Sequence, residues 1–164
     1  MRDVVDEHVE TWARELPGLD PIKEEILARM ARIVREVSEG RARGVAAGGA
    51  APGEYKTLLM LRKQGEPYQL SPSALARVLG VSRAVASTRL GVLEDKGLVR
   101  RAHDTHDRRR VTVELTSAGH TLVDALLEGE ERRERDILRP LDEDEQNELA
   151  ELLRRVVLHL PVTD

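Results

Sequence analysis

SPSALARVLGVSRAVASTRLGVLEDKG, residues 71–97, contains the signals for two short helices in immediate succession. Ser71 is a favourable N-cap residue, the proline after it fits the first helical turn, and the helix ends at Gly80. Ser82 caps a second helix, which continues to the lysine before Gly97, and glycine is the residue that most often follows a helix end. The stretch predicts a helix, a tight turn and a second helix.

The residues that follow predict a β-hairpin. Residues 98–102 (LVRRA) and 110–115 (RVTVEL) have the pattern of strands, and the second alternates apolar with polar side chains. The segment between them, HDTHDRR at 103–109, is polar throughout and predicts the hairpin tip. A helix pair followed by a hairpin at this spacing is the arrangement of a winged helix-turn-helix lobe.

Helices are also predicted before the lobe. Residues 3–16 place apolar side chains on one helical face, and Asp20 caps a second helix with an apolar stripe from Ile22 to Val37. The glycine-rich residues 40–53 predict a flexible connection, and a third helix is expected from Glu54 to Lys63.

Two more helices are predicted after the lobe, one from Thr116 or Ser117 and one from Asp142 to His159. The outer helices together have more apolar surface than one small domain buries, which indicates a dimer interface. The predicted fold is mainly α with a small β-hairpin wing. It comprises N-terminal dimerisation and ligand helices (1–46), a winged lobe (54–116) and C-terminal dimerisation helices (117–164).

Composition excludes several classes of function. The chain has no cysteine, which excludes disulfides, thiolate metal sites and a cysteine nucleophile. Aromatic residues make up 2% of the chain, so its core must come from aliphatic side chains, which favours helices over a β-sandwich. No apolar run approaches the ~18–20 residues of a membrane span, and the charged N-terminus lacks a secretion signal. We expect a cytoplasmic protein without a membrane partner or a cofactor.

Charge is distributed unevenly along the chain. The net charge is −4, yet residues 71–115 contain nine basic and five acidic side chains, a local charge of +4. A basic segment within an acidic protein indicates a surface that faces a polyanion. Chance clustering of charges is the alternative interpretation.

The second helix of the pair has two distinct faces. Ala86, Leu90 and Leu93 are spaced to face the core, and the opposite face is small or cationic, which lets a helix lie deep in a major groove. Arginines beside a thin hairpin tip suit the electronegative minor groove. An ordinary polar helix face and a solvated charged loop are the alternatives. The predicted DNA-binding residues are Ser71, Ser82, Arg83, Ala84, Ser87, Thr88, Arg108, Arg109 and Arg110.

The stretch from Glu54 to Gly119 resembles the MarR-type winged-helix transcriptional regulators. Besides the helix pair, the matching wing residues are Asp104, Asp107, Arg108, Arg109, Leu115, Thr116 and Gly119. The resemblance implies a homodimer with intertwined terminal helices, whose two lobes bind a pseudo-palindromic site on double-stranded DNA. It implies a sequence-specific transcriptional regulator rather than an enzyme, and a repressor that a ligand releases.

A narrower resemblance is to the urate-responsive branch of that family. Trp12, Arg89 and Arg101 match three of the positions linked there to ligand response, whereas the aspartate position is occupied by Lys56. Because lysine cannot replace a carboxylate, these four residues predict a cationic pocket for a small anionic or aromatic-acid effector instead of urate. The alternative is that Trp12 packs in a core or dimer interface and that the cations are ion-paired or solvated.

Two rival functions remain at this stage. One is a helical dimeric protein-interaction module without DNA binding, which the basic segment disfavours. The other is a metal-dependent hydrolase that uses His103, Asp104, His106 and Asp107 as ligands, although successive side chains diverge at a hairpin tip. We predict no metal site and no catalytic residue.

Overall fold

The computed structural model describes residues 2–103 and 111–161. Within them, the helices and the β-hairpin follow one another in the order that the sequence predicts, which confirms a mainly α fold with a winged helix-turn-helix lobe. The helices are α1 (Val4–Glu15), α2 (Pro21–Ala47), α3 (Pro52–Arg62), α4 (Pro72–Leu79), α5 (Arg83–Asp95), α6 (Ser117–Leu138) and α7 (Glu143–Val157). The strands are β1 (Gln69–Leu70), β2 (Val99–His103) and β3 (Val111–Leu115).

Local capping explains why most helices begin where they are predicted. At every described helix except α3, a side-chain oxygen of the N-cap residue accepts a hydrogen bond from a backbone N–H of the first helical turn, which would otherwise lack a partner. The capping residues are Asp3, Asp20, Ser71, Ser82, Thr116 and Asp142.

The predicted flexible connection at 40–53 is wrong for its first half, because α2 continues through Gly40 and Gly44. Both glycines face Arg133 of α6. A Cβ atom at Gly44 would lie 2.6 Å from the Arg133 guanidinium, and one at Gly40 would lie 3.4 Å from Cδ of the same side chain. These glycines therefore allow two long helices to approach each other and do not interrupt the helix.

The sheet contains a strand that sequence patterns did not predict. β1 is two residues long and pairs antiparallel with β3, with Leu70 opposite Val113, so the sheet order is β1-β3-β2. β2 pairs with the other edge of β3, where Arg101 is opposite Val113. β3 is consequently the central strand.

Two apolar clusters hold the lobe together. The larger cluster joins α3, α4, α5, the sheet and the start of α6. The smaller cluster links α2, α3 and α6 through Val45, Ala50, Tyr55 and Leu126. The lobe is thereby fixed to the long helices through α3 and the short segment before it.

The outer helices leave much apolar surface uncovered. α7 has no buried residue, and the leucines and valines from Leu152 to Leu160, in α7 and just after it, are at least one-third exposed. Ile22, Ile26 and Ile33 of α2 are about half exposed or more. The predicted boundaries at 46, 54 and 117 remain a prediction. Across residues 2–103 and 111–161, every helix is too short or too polar for a transmembrane span.

Candidate nucleic-acid interface

The position of α5 follows from its inner face. Ser82 Oγ accepts a hydrogen bond from the Val85 N–H at 3.2 Å and starts the helix. Ala86, Leu90 and Leu93 are at most 1% exposed and anchor α5 in the larger cluster, as their spacing predicted. With one face buried, the opposite face of α5 points outward.

The outer face of α5 has the small side chains that the sequence indicated. Arg83, Ala84, Ser87 and Thr88 are all exposed. The Thr88 hydroxyl donates to the Ala84 carbonyl at 3.1 Å, which holds it close to its own helix. The side chains on this surface are short and mostly polar, with one guanidinium at its N-terminal end.

An open cleft lies beside that face. It runs between the start of α4, the first turns of α5 and the start of β3, and its volume is about 810 Å³. Ser71 lies at its margin, half-buried, and uses its hydroxyl to accept a hydrogen bond from the Ala74 N–H at 3.2 Å. The structure therefore brings Ser71, Arg83 and Ser87 together at one cleft.

The hairpin tip lies outside the described residues. Arg108, Arg109 and Arg110 fall there, as do the residues 104–107 that the rival metal site requires. The base of the hairpin is described, and across it Arg100 of β2 forms an ion pair with Glu114 of β3. Among residues 2–103 and 111–161, no group of three or more histidine or acidic side chains is arranged to hold a metal ion.

The four predicted effector residues have separate environments. Arg101 Nε donates to Glu94 of α5 at 3.1 Å, and Arg89 packs against Gly53 at the start of α3. Lys56 is exposed on α3. Trp12 is 45% exposed on α1, in an edge contact with His8. In the described structure, no hydrogen bond or aromatic contact joins Trp12 to the three cations.

Sequence patterns missed an ion pair at the other end of α5. Lys96 Nζ lies 2.7 Å from Glu54 Oε2 and donates to the Gly49 carbonyl at 3.2 Å. The Glu54 carboxylate also accepts from the Ala51 N–H at 3.0 Å. Burial alone would raise the pKa of Glu54, but the bonds from Lys96 and Ala51 outweigh it and hold that pKa below its usual value. The only local sequence signal was a glutamate in the first turn of a helix, which indicates the capping bond to Ala51 but not the ion pair with Lys96.

Comparison with known proteins identifies the family. A MarR family model matches residues 51–110. The HTH-type transcriptional regulator PecS of Dickeya dadantii (strain 3937) is 32% identical over 156 residues, which cover 95% of this chain and 94% of PecS. The chain belongs to the MarR family. Since proteins of this family are transcriptional regulators, this MarR-family chain is a regulator and not an enzyme, as the resemblance predicted.

Solved structures confirm the winged-helix fold of this MarR-family chain. The YusO protein of Bacillus subtilis superposes with a TM-score of 0.77 at 22% identity, covering 87% of this chain and 99% of YusO. A mutant of MepR from S. aureus, solved bound to an oligodeoxyribonucleotide, gives a TM-score of 0.67 at 25% identity, covering 83% of this chain and 96% of MepR.

Proposed function

We propose that this MarR-family regulator is a homodimeric repressor that binds a pseudo-palindromic site on double-stranded DNA and is released by a small anionic ligand. The observation that carries the proposal is the exposed, small-residue face of α5 beside an open cleft. The similar MepR mutant bound to an oligodeoxyribonucleotide supports it. A repressor of this kind acts in the cytoplasm, where its operator is.

In this proposal α5 reads the major groove. Arg83 forms two hydrogen bonds with a guanine edge or one with a phosphate, and Ser87 and Thr88 reach neighbouring base edges or phosphates. Ser71 and Ser82 mark the starts of α4 and α5, whose free backbone N–H groups favour a phosphate nearby. Ala84 contributes by leaving room for the DNA.

The wing arginines make the second contact in the proposal. Arg108 and Arg109 enter the minor groove next to the α5 site, and Arg110, the next residue in the sequence, adds a third positive charge. A narrow minor groove has a strongly negative potential that attracts guanidinium groups. Contacts in both grooves fix the orientation of each lobe on the duplex.

Dimerisation is the reason that the recognised DNA site is pseudo-palindromic, because each copy binds one half-site. The exposed apolar side chains of α2 and α7 form the surface on which a second copy packs. The two α5 helices must then be about 34 Å apart, one turn of DNA. A ligand that stabilises a dimer conformation with another distance between the α5 helices releases the DNA. The extent of release depends on how much more tightly the ligand binds that conformation than the DNA-binding one.

The ligand part of the proposal assigns Trp12, Lys56, Arg89 and Arg101 to an acid effector. Arg101 pairs with Glu94, so an anionic ligand must compete with that carboxylate. Calorimetric titration with aromatic and aliphatic acids tests the assignment, and Arg89→Ala must weaken any binding found. Uniformly negative titrations, or binding that Arg89→Ala leaves unchanged, would remove these residues from the effector site.

DNA binding is tested by selecting duplexes from a random pool and measuring their affinity by fluorescence anisotropy. We expect a selected sequence with two inverted half-sites. Arg83→Ala lowers the affinity by about 1–3 kcal/mol, the contribution of one base-specific arginine pair. Arg139→Ala, which removes an exposed arginine just after α6, is the matched control for charge. Failure to enrich any sequence would favour the interaction module without DNA binding.

A further inference from the structure

The C-terminal end of α5 contacts the segment that joins α2 to α3 together with the first residues of α3, a region that we call the α2–α3 corner (residues 48–54). Lys96, the residue after α5, contacts this corner twice, through the Glu54 carboxylate at 2.7 Å and the Gly49 carbonyl at 3.2 Å. Glu54 is only 8% exposed. A buried carboxylate is stable only with such a partner, so the contact is a constraint on where α5 lies.

Arg89 makes another contact with the same corner, two helical turns before Lys96. A Cβ atom at Gly53 would lie 2.8 Å from Cζ of Arg89, so the guanidinium occupies the space that any side chain at position 53 would need. Arg89 and Lys96 are seven residues apart, which places both cations on one side of α5. That side faces the corner and not the cleft.

The corner is itself fixed to the long helices. A Cβ atom at Gly48 would lie 2.8 Å from Cδ2 of Leu126 in α6. Ala50 is buried in the cluster that includes Val45 of α2 and Tyr55 of α3. The corner therefore connects α5, through Lys96 and Arg89, to the helices α2 and α6.

We infer that the Lys96–Glu54 ion pair is a positioning contact that sets the orientation of α5 relative to α2 and α6, and through it the half-site spacing that the dimer accepts. The inference rests on the proposed function. One additional base pair between half-sites shifts them by about 3.4 Å and rotates one against the other. A dimer with firmly oriented α5 helices rejects that shift, whereas one with looser helices tolerates it.

The experiment compares affinities for the selected operator and for the same operator with one central base pair inserted or deleted. The variants are Lys96→Met, Glu54→Gln and the double variant. Lys63→Met is the control, because it removes an exposed lysine at the end of α3 that forms no ion pair among the described residues. The ratio of two affinities from one preparation is insensitive to the fraction of unfolded protein.

We expect each single variant to lower the preference for the correct spacing at least about fivefold, the lower end of coupling between sites. The double variant should show no larger loss than either single variant, because both remove the same contact. Lys96→Arg, which keeps the charge, should retain most of the preference.

Three results count against the inference, and they can be distinguished from one another. If the parent binds DNA and Lys96→Met and Glu54→Gln keep the parental spacing preference, the ion pair has no positioning role while the proposed function stands. If the parent binds no duplex at all, the proposed function fails and the inference fails with it. Loss of thermal stability with an unchanged ratio also counts against it, since that is the behaviour of a merely structural contact.

Discussion

Gly119 shows how a single residue controls the packing of the lobe. A Cβ atom there would lie 2.1 Å from the carbonyl oxygen of Leu98, because the first turn of α6 packs on the backbone that leads into β2. Thr116 holds this arrangement by donating from its hydroxyl to the Gly97 carbonyl at 2.7 Å. Any side chain at position 119 separates α6 from the hairpin base.

We therefore predict that Gly119→Ala lowers the free energy of unfolding by about 1–3 kcal/mol, the usual range for overpacking. Urea denaturation followed by circular dichroism measures it. Gly129→Ala in the same helix is the control, because a Cβ there meets the flexible ends of Arg133 at 3.3 Å and Arg132 at 3.9 Å and no backbone atom among its nearest contacts. That change should be neutral or stabilise the protein by up to about 1 kcal/mol. Equal effects at the two positions would contradict this account.

Tyr55 gives a prediction about alkaline pH. Its side chain is buried, and burial together with the nearby Glu130 carboxylate raises the pKa of Tyr55 from 10.0 to about 12. Folding thus favours the neutral phenol, so its contribution to stability is complete below pH 10 and is lost as the pH rises toward 12.

Tyr55→Phe should remove this pH dependence, so the free energy of unfolding of the variant should fall less than that of the parent between pH 10 and 12. At pH 7 the variant should be close to the parent, because the Tyr55 hydroxyl has no hydrogen-bond partner in the described structure. Denaturation curves at several pH values decide the matter, and parallel pH profiles for the two proteins would refute the prediction.

At the scale of elements, the proposed contacts of the wing arginines predict that DNA binding depends on salt concentration. If a half-dozen phosphates are contacted, the logarithm of the binding constant falls with the logarithm of salt concentration with a slope of about −5. Arg109→Ala should weaken binding to the selected duplex and make the slope less steep by about 1. Anisotropy titrations at several salt concentrations test this. An unchanged affinity would exclude the wing from the mechanism.

The elements also show how much the sequence determines locally. Caps at Asp20, Ser71 and Ser82 depend on a few neighbouring residues, so the helices and the inner face of α5 were predictable. β1 exists only because two residues pair with β3, which no local pattern encodes. Gly40 and Gly44 resemble helix breakers until Arg133 of α6 is in place.

The candidate site likewise has features that the sequence predicts and features that depend on tertiary contacts. The exposed face of α5 follows from helical periodicity, and its small side chains were identified from spacing alone. The partners of Arg101 and Lys96 depend on tertiary contacts with Glu94 and Glu54. The Lys96 partner lies 42 residues away along the chain, so no motif could have indicated it.

At the scale of the whole molecule, the uncovered apolar face of α7 predicts a dimer. Substitutions in this one helix should be enough to dissociate it. Replacing Leu152 and Val156, each 47% exposed, by glutamate should leave the lobe folded, because neither belongs to its core. Two charges at the centre of an apolar interface cost several kcal/mol, so association should be lost. Asn147→Glu, on the opposite side of α7, is the control.

Light scattering after gel filtration measures the molar mass in solution and so tests this prediction. The parent and Asn147→Glu should show twice the 18.3 kDa of one chain, and the double variant should show a single chain. The monomeric variant should also lose its preference for inverted half-sites. A parent of 18.3 kDa at micromolar concentration would exclude the dimer.

The place of β3 between β1 and β2 has a mechanical consequence for regulation. The β1–β3 ladder on one edge, together with Val99, Val113 and Leu115 in the larger apolar cluster, fixes the hairpin base to the lobe. If an effector releases the DNA as proposed, we therefore expect it to tilt each lobe as a rigid body together with its hairpin base.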